Sequence, residues 1–135
     1  MKNLLLGTDI CQISRIKATV DKYQHKFLSK TFTDKEIEYA YSNIRTCYDR
    51  LAVRFATKEA VSKALGVGIN GLGWNKGINW KDVEVERSSV GELGLVLSGK
   101  AKEIAQKKGI TNWKVSVSHM GDYATSTVIA LILEK

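Results

Sequence analysis

The 135-residue chain contains no proline, only two cysteines and only two histidines. Each scarcity closes off a class of chemistry. Without proline there is no proline-rich linker, and no internal repeat or low-complexity stretch divides the sequence, so one domain over residues 1–135 is expected. Cys11 and Cys47 follow no regular framework and have no companion Cys/His pair, which argues against a disulfide scaffold and a structural zinc. A reducing, cytoplasmic setting is the natural expectation. With His25 and His119 alone, a histidine-rich metal centre is impossible, and a triad would have to use one of these two. Ser118 and His119 do not form a nucleophile–base pair, because neighbours in a strand point to opposite faces. Long apolar runs are missing too. The start, Met1 to Leu6, is charged then apolar, but Asp9 cuts it short of a signal-peptide core. Nothing reaches the roughly 18 apolar residues of a membrane span, so a soluble protein without membrane contacts is expected.

What is present is an ordinary globular mixture, 44% hydrophobic and 26% charged, with a net charge of +7. The excess of positive charge points to acidic partners without choosing among nucleic acid, anionic lipid, a nucleotide-like ligand or an acidic protein. Leu4 to Thr8 reads as a short buried strand. Ile13, Ile16, Val20, Tyr23 and Phe27 then mark one face of a helix, with Arg15, Lys22 and Lys26 on a separate stripe that is either a solvated face or a docking face. Thr33-Asp34-Lys35-Glu36 is a capping box opening a helix through Tyr41. The longest helical pattern runs from Tyr48 to Leu65, with Val53, Ala56, Ala60 and Ala64 as a small-residue ridge suited to packing on a sheet. Glycines 66, 68, 71, 73 and 77 mark a long connection. Trp80 to Glu86, Leu93 to Leu97, Trp113 to His119 and Tyr123 to Leu133 read as strands, and Gly99 to Lys108 as a helix. The fold class expected is α+β.

Two glycine patterns mislead. Gly66-Val67-Gly68-Ile69-Asn70-Gly71 spells a dinucleotide fingerprint but follows a helix rather than a strand. Gly94 to Lys100 imitates a phosphate loop, yet position 101 is Ala where a magnesium-binding hydroxyl is needed, and Leu95-Val96-Leu97 reads as strand. No aromatic-laced basic run or nucleic-acid motif supports a nucleic-acid-binding module.

Taken singly, the remaining candidates are modest. Asp9 stands where strand is expected to give way to helix, and with Gln12 it reads as a cap. Glu59 and Lys63 are spaced for a helical ion pair. In context they carry more. Arg54-Phe55-Ala56-Thr57-Lys58-Glu59-Ala60-Val61-Ser62-Lys63-Ala64-Leu65-Gly66, together with Gly7-Thr8-Asp9 and Arg15, resembles the holo-acyl-carrier-protein synthase family of phosphopantetheinyl transferases. The likeness continues through the glycine loop, Trp80-Lys81-Asp82-Val83-Glu84-Val85 and Ser116-Val117-Ser118-His119. It departs at Gly91-Glu92-Leu93, where the family commonly has Gly-Lys-Pro, which leaves the turn geometry open.

The resemblance implies an antiparallel-rich sheet packed on a long helix, usually in a homotrimer, and a transferase of fatty-acid and lipid metabolism. It further implies transfer of phosphopantetheine from coenzyme A to a serine of an acidic acyl carrier protein. Asp9 and Glu59 match its magnesium ligands, Glu59 the base that takes the serine proton directly or through a water, and Lys63 the group beside the pyrophosphate. Arg54, Phe55, Lys58, Gly66, Gly68, Ser118 and His119 match coenzyme contacts, although His119 reads equally as a satisfied core or edge histidine. Arg15, with Lys22 and Lys26, is implied as the carrier-protein face. The alternative is a basic nucleic-acid- or nucleotide-binding module without catalysis.

Overall fold

The computed structural model describes residues 3–70 and 77–133; the expected loop glycines Gly71 and Gly73 lie outside the described residues. Strand β1 (Asn3–Gln12) is followed by helices α1 (Ile13–Tyr23), α2 (His25–Thr31), α3 (Asp34–Tyr41) and α4 (Cys47–Leu65). Strands β2 (Val83–Arg87) and β3 (Leu93–Leu97), helix α5 (Gly99–Lys107), and strands β4 (Ile110–Met120) and β5 (Tyr123–Ile132) complete the order. Three strands form an antiparallel sheet in the order β1-β5-β4, and β2 and β3 pair as a separate antiparallel hairpin. This is the α+β arrangement expected.

Several boundaries differ from the sequence reading, each for a local reason. Strand β1 runs on to Gln12 because it stays paired with β5 over its whole length, Asp9 opposite Ser126 and Gln12 opposite Tyr123. Asp9 is therefore a strand residue and not a helix cap. The single helix expected through Phe27 breaks at Gln24, whose φ of 50° is left-handed, so Lys26 belongs to α2 and Arg15 and Lys22 to α1. Trp80–Asp82 is a 3₁₀ turn preceding β2 rather than the start of the strand. The capping box on α3 forms as read, Thr33 Oγ1 accepting from the Glu36 N–H and Glu36 Oε1 from the Thr33 N–H. The turn after β2 closes without the family's proline: Gly91, at φ 87°, donates to Ser88 O, and Ser88 donates to Glu92 O.

Helix α4 lies across the inner face of the sheet. Its small-residue ridge, Val53, Ala56, Ala60 and Ala64, is buried, as are Ala124, Val128 and Ala130 of β5. Backbones meet at Gly7, where a Cβ would stand 1.9 Å from Ala60 O and 2.9 Å from Ala64 N. Only glycine allows helix backbone to touch strand backbone there. Gly7→Ala should cost at least about 2–3 kcal/mol in urea unfolding, because α4 must lift off β1. An unchanged midpoint would show that the helix accommodates the methyl.

Beside α4, Thr57 Oγ1 bonds Val53 O at 2.7 Å and the buried Ser126 hydroxyl at 2.8 Å, linking the helix to β5 opposite Asp9. On the outer face of the sheet the β1 side chains Leu4, Leu6 and Ile10 stand open at 62%, 64% and 58% exposure, beside the polar Thr125 and Thr127 of β5 and Ser116 and Ser118 of β4. No helix among the described residues is long and apolar enough to cross a membrane.

Candidate active site

The contact of β1 with α4 brings together side chains that are far apart in sequence. Asp9 leaves the inner face of β1 two residues beyond Gly7, and Glu59 and Lys63 leave α4 on either side of Ala60. Lys63 Nζ reaches across to Asp9 Oδ1 at 2.9 Å and to Thr8 O at 3.1 Å. The ion pair thus runs between helix and strand, in place of the one expected along the helix from Lys63 to Glu59.

Asp9 Oδ2 is buried and receives no hydrogen bond from any N–H or hydroxyl group. What faces Asp9 instead is the Glu59 carboxyl, within hydrogen-bonding reach. Two carboxylates so placed cannot both stay ionised without a cation between them. Burial pushes Glu59 up, the Asp9 hydrogen bond and charge add to it, and Lys63 and Arg15 oppose too weakly, leaving Glu59 at about 8. Burial also works to raise Asp9, but hydrogen bonds from Glu59 and Lys63 and the Lys63 charge outweigh it and hold Asp9 below its ordinary value. At neutral pH Glu59 therefore carries the shared proton and Asp9 the charge. Cys11, next on the same strand face, is pushed up to about 12 by burial and then by the Glu59 and Asp9 charges, so it is a thiol rather than a nucleophilic thiolate.

This donor set fits a hard divalent cation. Magnesium is commonly held by one or two carboxylates with water and substrate phosphate in the remaining positions, and an orphaned carboxylate oxygen beside a second carboxyl offers such a start. Among the described residues no group of three or more His, Cys, Asp or Glu side chains is placed to hold a metal.

The proton on Glu59 has a consequence for stability. Its folded value lies above the ordinary carboxylate value, so the folded chain holds a proton that the unfolded chain has released. Stability should fall as pH rises from about 5 to about 8, and level off outside that window. The depressed Asp9 carboxyl acts in the opposite sense and only at acid pH. Urea midpoints between pH 5 and 9 in metal-free buffer test this, and Glu59→Gln should flatten the curve.

Residues 5–128 match the 4'-phosphopantetheinyl transferase superfamily. The chain belongs to that family. It is 44% identical over 132 residues to the holo-acyl-carrier-protein synthase of Thermoanaerobacter sp. (strain X514), covering 98% of this chain and 90% of that protein. It is 42% identical over 128 residues to the synthase of Caldanaerobacter subterraneus subsp. tengcongensis, covering 95% and 94%. Among solved structures, the Helicobacter pylori synthase in complex with coenzyme A is similar at 28% identity with a TM-score of 0.76, covering 93% of this chain and 99% of that one.

Within this transferase, a cleft of about 290 Å³ opens beside Glu59, lined by Ile10, Cys11, Arg15, Ile16, Phe27 and Phe55 among others. Phe55 is half-buried and stacks on Trp80, ring centroids 4.6 Å apart. Arg15 is exposed on α1 at this cleft, while Lys22 and Lys26 are exposed on two different helices, so the single basic stripe is broken at Gln24. The sequence reading passed over the apolar lining, although Ile16 and Phe27 were legible as part of a helix face.

Other expected coenzyme contacts fall elsewhere. Lys58 is fully buried: its Nζ pairs with Glu36 Oε1 at 2.8 Å and donates to Trp80 O and Val83 O. All three donors are spent inside the protein, so within one chain Lys58 faces Glu36 and the backbone and not the Glu59 cleft. Arg54 is 2% exposed, its guanidinium 4.5 Å from the Tyr39 ring centroid and one N–H bonded to Arg50 O. It lines a second cleft with Arg50, Arg87 and His119. Ser118 is exposed next to His119 on β4 and, by strand alternation, leaves the other face of the sheet. Neither lines the Glu59 cleft within one chain. Gly66 ends α4 in a left-handed C-cap at φ 74°, its N–H bonding Lys63 O, and Gly68 O accepts from the Ile78 N–H.

Proposed function

We propose that the chain is a magnesium-dependent holo-acyl-carrier-protein synthase, acting as one domain per subunit. It moves 4'-phosphopantetheine from coenzyme A to a serine of an apo acyl carrier protein and releases adenosine 3',5'-bisphosphate. The observation that carries this reading is the convergence of Asp9 and Glu59, with Asp9 Oδ2 orphaned and Lys63 at its edge. Family relatives named holo-acyl-carrier-protein synthase support the reaction, and the coenzyme A complex of the Helicobacter relative supports the donor.

In the reaction the carrier serine oxygen forms a bond to the β-phosphorus of coenzyme A, and the bond from that phosphorus to the oxygen bridging it to the bisphosphate breaks. Asp9 and Glu59 would hold magnesium, which supplies Lewis-acid stabilisation of charge on the pyrophosphate. In its ionised form Glu59 accepts the serine proton, directly or through a water. Lys63, with 57% of its side chain exposed, can turn its ammonium from Asp9 to the pyrophosphate and neutralise the leaving group. Arg54, Phe55, Gly66, Gly68, Ser118 and His119 serve the coenzyme. Because Ser118 and His119 do not line the Glu59 cleft in one chain, they reach it in a homotrimer from a neighbouring subunit. The exposed Leu4, Leu6 and Ile10 on the outer face of β1 support such assembly. A cytoplasmic place in fatty-acid synthesis follows from the carrier.

Mass spectrometry of apo carrier protein incubated with the enzyme, coenzyme A and magnesium tests this. The carrier should gain one phosphopantetheine, and a chelator should stop the gain. No gain with an authentic apo carrier overturns the reading. Arg15, at the mouth of the Glu59 cleft, is the docking cation for the acidic carrier, with Lys22 and Lys26 steering from further out. Arg15→Glu should raise the carrier KM roughly tenfold or more with little change in the coenzyme KM. Equal rises in both would remove its docking role.

A further inference from the structure

Helix α1 begins without a cap of its own. Gln12, its N-cap residue, makes no capping hydrogen bond with the first-turn N–H groups, and no acidic residue stands in the first turn. The opening N–H groups of a helix nevertheless need acceptors, and its N-terminus favours negative charge. Both come from the far end of the chain. Asp122, in the turn between β4 and β5, accepts from the Ser14 N–H through Oδ1 at 2.9 Å and from the Ser14 hydroxyl through Oδ2 at 2.5 Å. Its main-chain carbonyl accepts from the Ile13 N–H at 2.7 Å. An aspartate in a hairpin turn ordinarily bonds within its own turn or faces water; here both carboxylate oxygens are committed to α1.

The rest of α1 is held by the apolar residues Ile13, Ile16 and Val20, buried in the core. Apolar packing is non-directional, so it places a helix on a surface more firmly than it sets rotation and axial position. Hydrogen bonds are directional. Ser14 precedes Arg15, and Arg15, Ile16 and Thr19 all line the cleft that holds Glu59. The clamp on Ser14 thus sets where Arg15 stands relative to the reacting centre.

We propose that Asp122 is a positioning residue for the acceptor substrate. By clamping the first turn of α1 it holds Arg15 where an acidic carrier protein docks with its serine over Glu59. This rests on the carrier-docking reading above. Steady-state kinetics with an apo acyl carrier protein and coenzyme A test it. Asp122→Ala should raise the carrier KM roughly tenfold while kcat and the coenzyme KM change less than about twofold. Asp122→Asn keeps an acceptor for the Ser14 N–H and can donate to its hydroxyl, so it should restore most of the carrier affinity. Ser14→Ala should give a smaller rise, and adding it to Asp122→Ala should cost nothing more, because both remove one interaction. An unchanged carrier KM in Asp122→Ala, or equal rises in both KM values, overturns the clamp. Should Asp122→Ala fail to fold, Ser14→Ala is judged by the same split. Absence of transfer by the wild-type chain overturns the transferase reading itself; normal carrier kinetics in Asp122→Ala overturns only the clamp.

Discussion

Glu59→Gln is expected to lower kcat by roughly a hundred- to ten-thousand-fold while the fold stays intact. At neutral pH the metal-free chain already holds Glu59 protonated beside an ionised Asp9. Glutamine copies that protonated shape, and its amide N–H can donate to Asp9 where the carboxyl proton did. The variant should therefore unfold at the same urea concentration as wild type, or a higher one. What glutamine cannot do is give up a proton when a cation arrives, or accept one from the carrier serine. Asp9→Asn should weaken magnesium dependence in the same assay. Combining the two should cost little beyond the worse single change, as expected of groups that act as a unit. Wild-type turnover in Glu59→Gln would show that the orphaned oxygen of Asp9 has some other purpose.

Lys58→Met is expected to destabilise the chain by about 3–5 kcal/mol, the usual consequence of removing one partner of a buried ion pair. The pair is dry, with neither side chain exposed. Glu36 is also a junction: Oε1 caps α3 at Thr33 and accepts from Lys58, while Oε2 accepts from the Val85 N–H at 2.9 Å. Loss of Lys58 leaves a buried carboxylate without its counter-ion and strips Trp80 O and Val83 O of a donor. Glu36→Gln should be similarly costly, and the double variant should cost clearly less than the sum. Urea unfolding measures all three. A Lys58→Met protein of normal stability but raised coenzyme KM would return Lys58 to the coenzyme site.

The family motif could be read because it is contiguous and lies on one helix, where spacing alone orders the side chains. The capping box at Thr33 and Glu36 was legible for the same reason, as were the two false glycine motifs. The burial of Lys58 was harder. A run of Lys58, Glu59 and Lys63 resembles a wet face, yet Leu51, Arg54, Lys58, Val61 and Leu65 recur at helical spacing and are all buried. That stripe was a usable signal, hidden because two of its five members are cations. The sequence left the cap alternative for Asp9 open because the extent of β1 depends on pairing with β5, which lies at the other end of the chain.

The sequence by itself determined the local elements, the family and the identity of the chemical groups, since propensity, capping and motif spacing act over a few residues. Tertiary structure alone decided which groups meet. Gly7 lets α4 touch β1, so Lys63 turns from Glu59 to Asp9 and one carboxyl must keep the proton. Burial sent Lys58 inward to Glu36, and the β4–β5 turn supplied α1 with its cap. Each of these couples residues that are neighbours only after folding, where the balance of desolvation and pairing depends on surroundings that spacing along the chain does not encode.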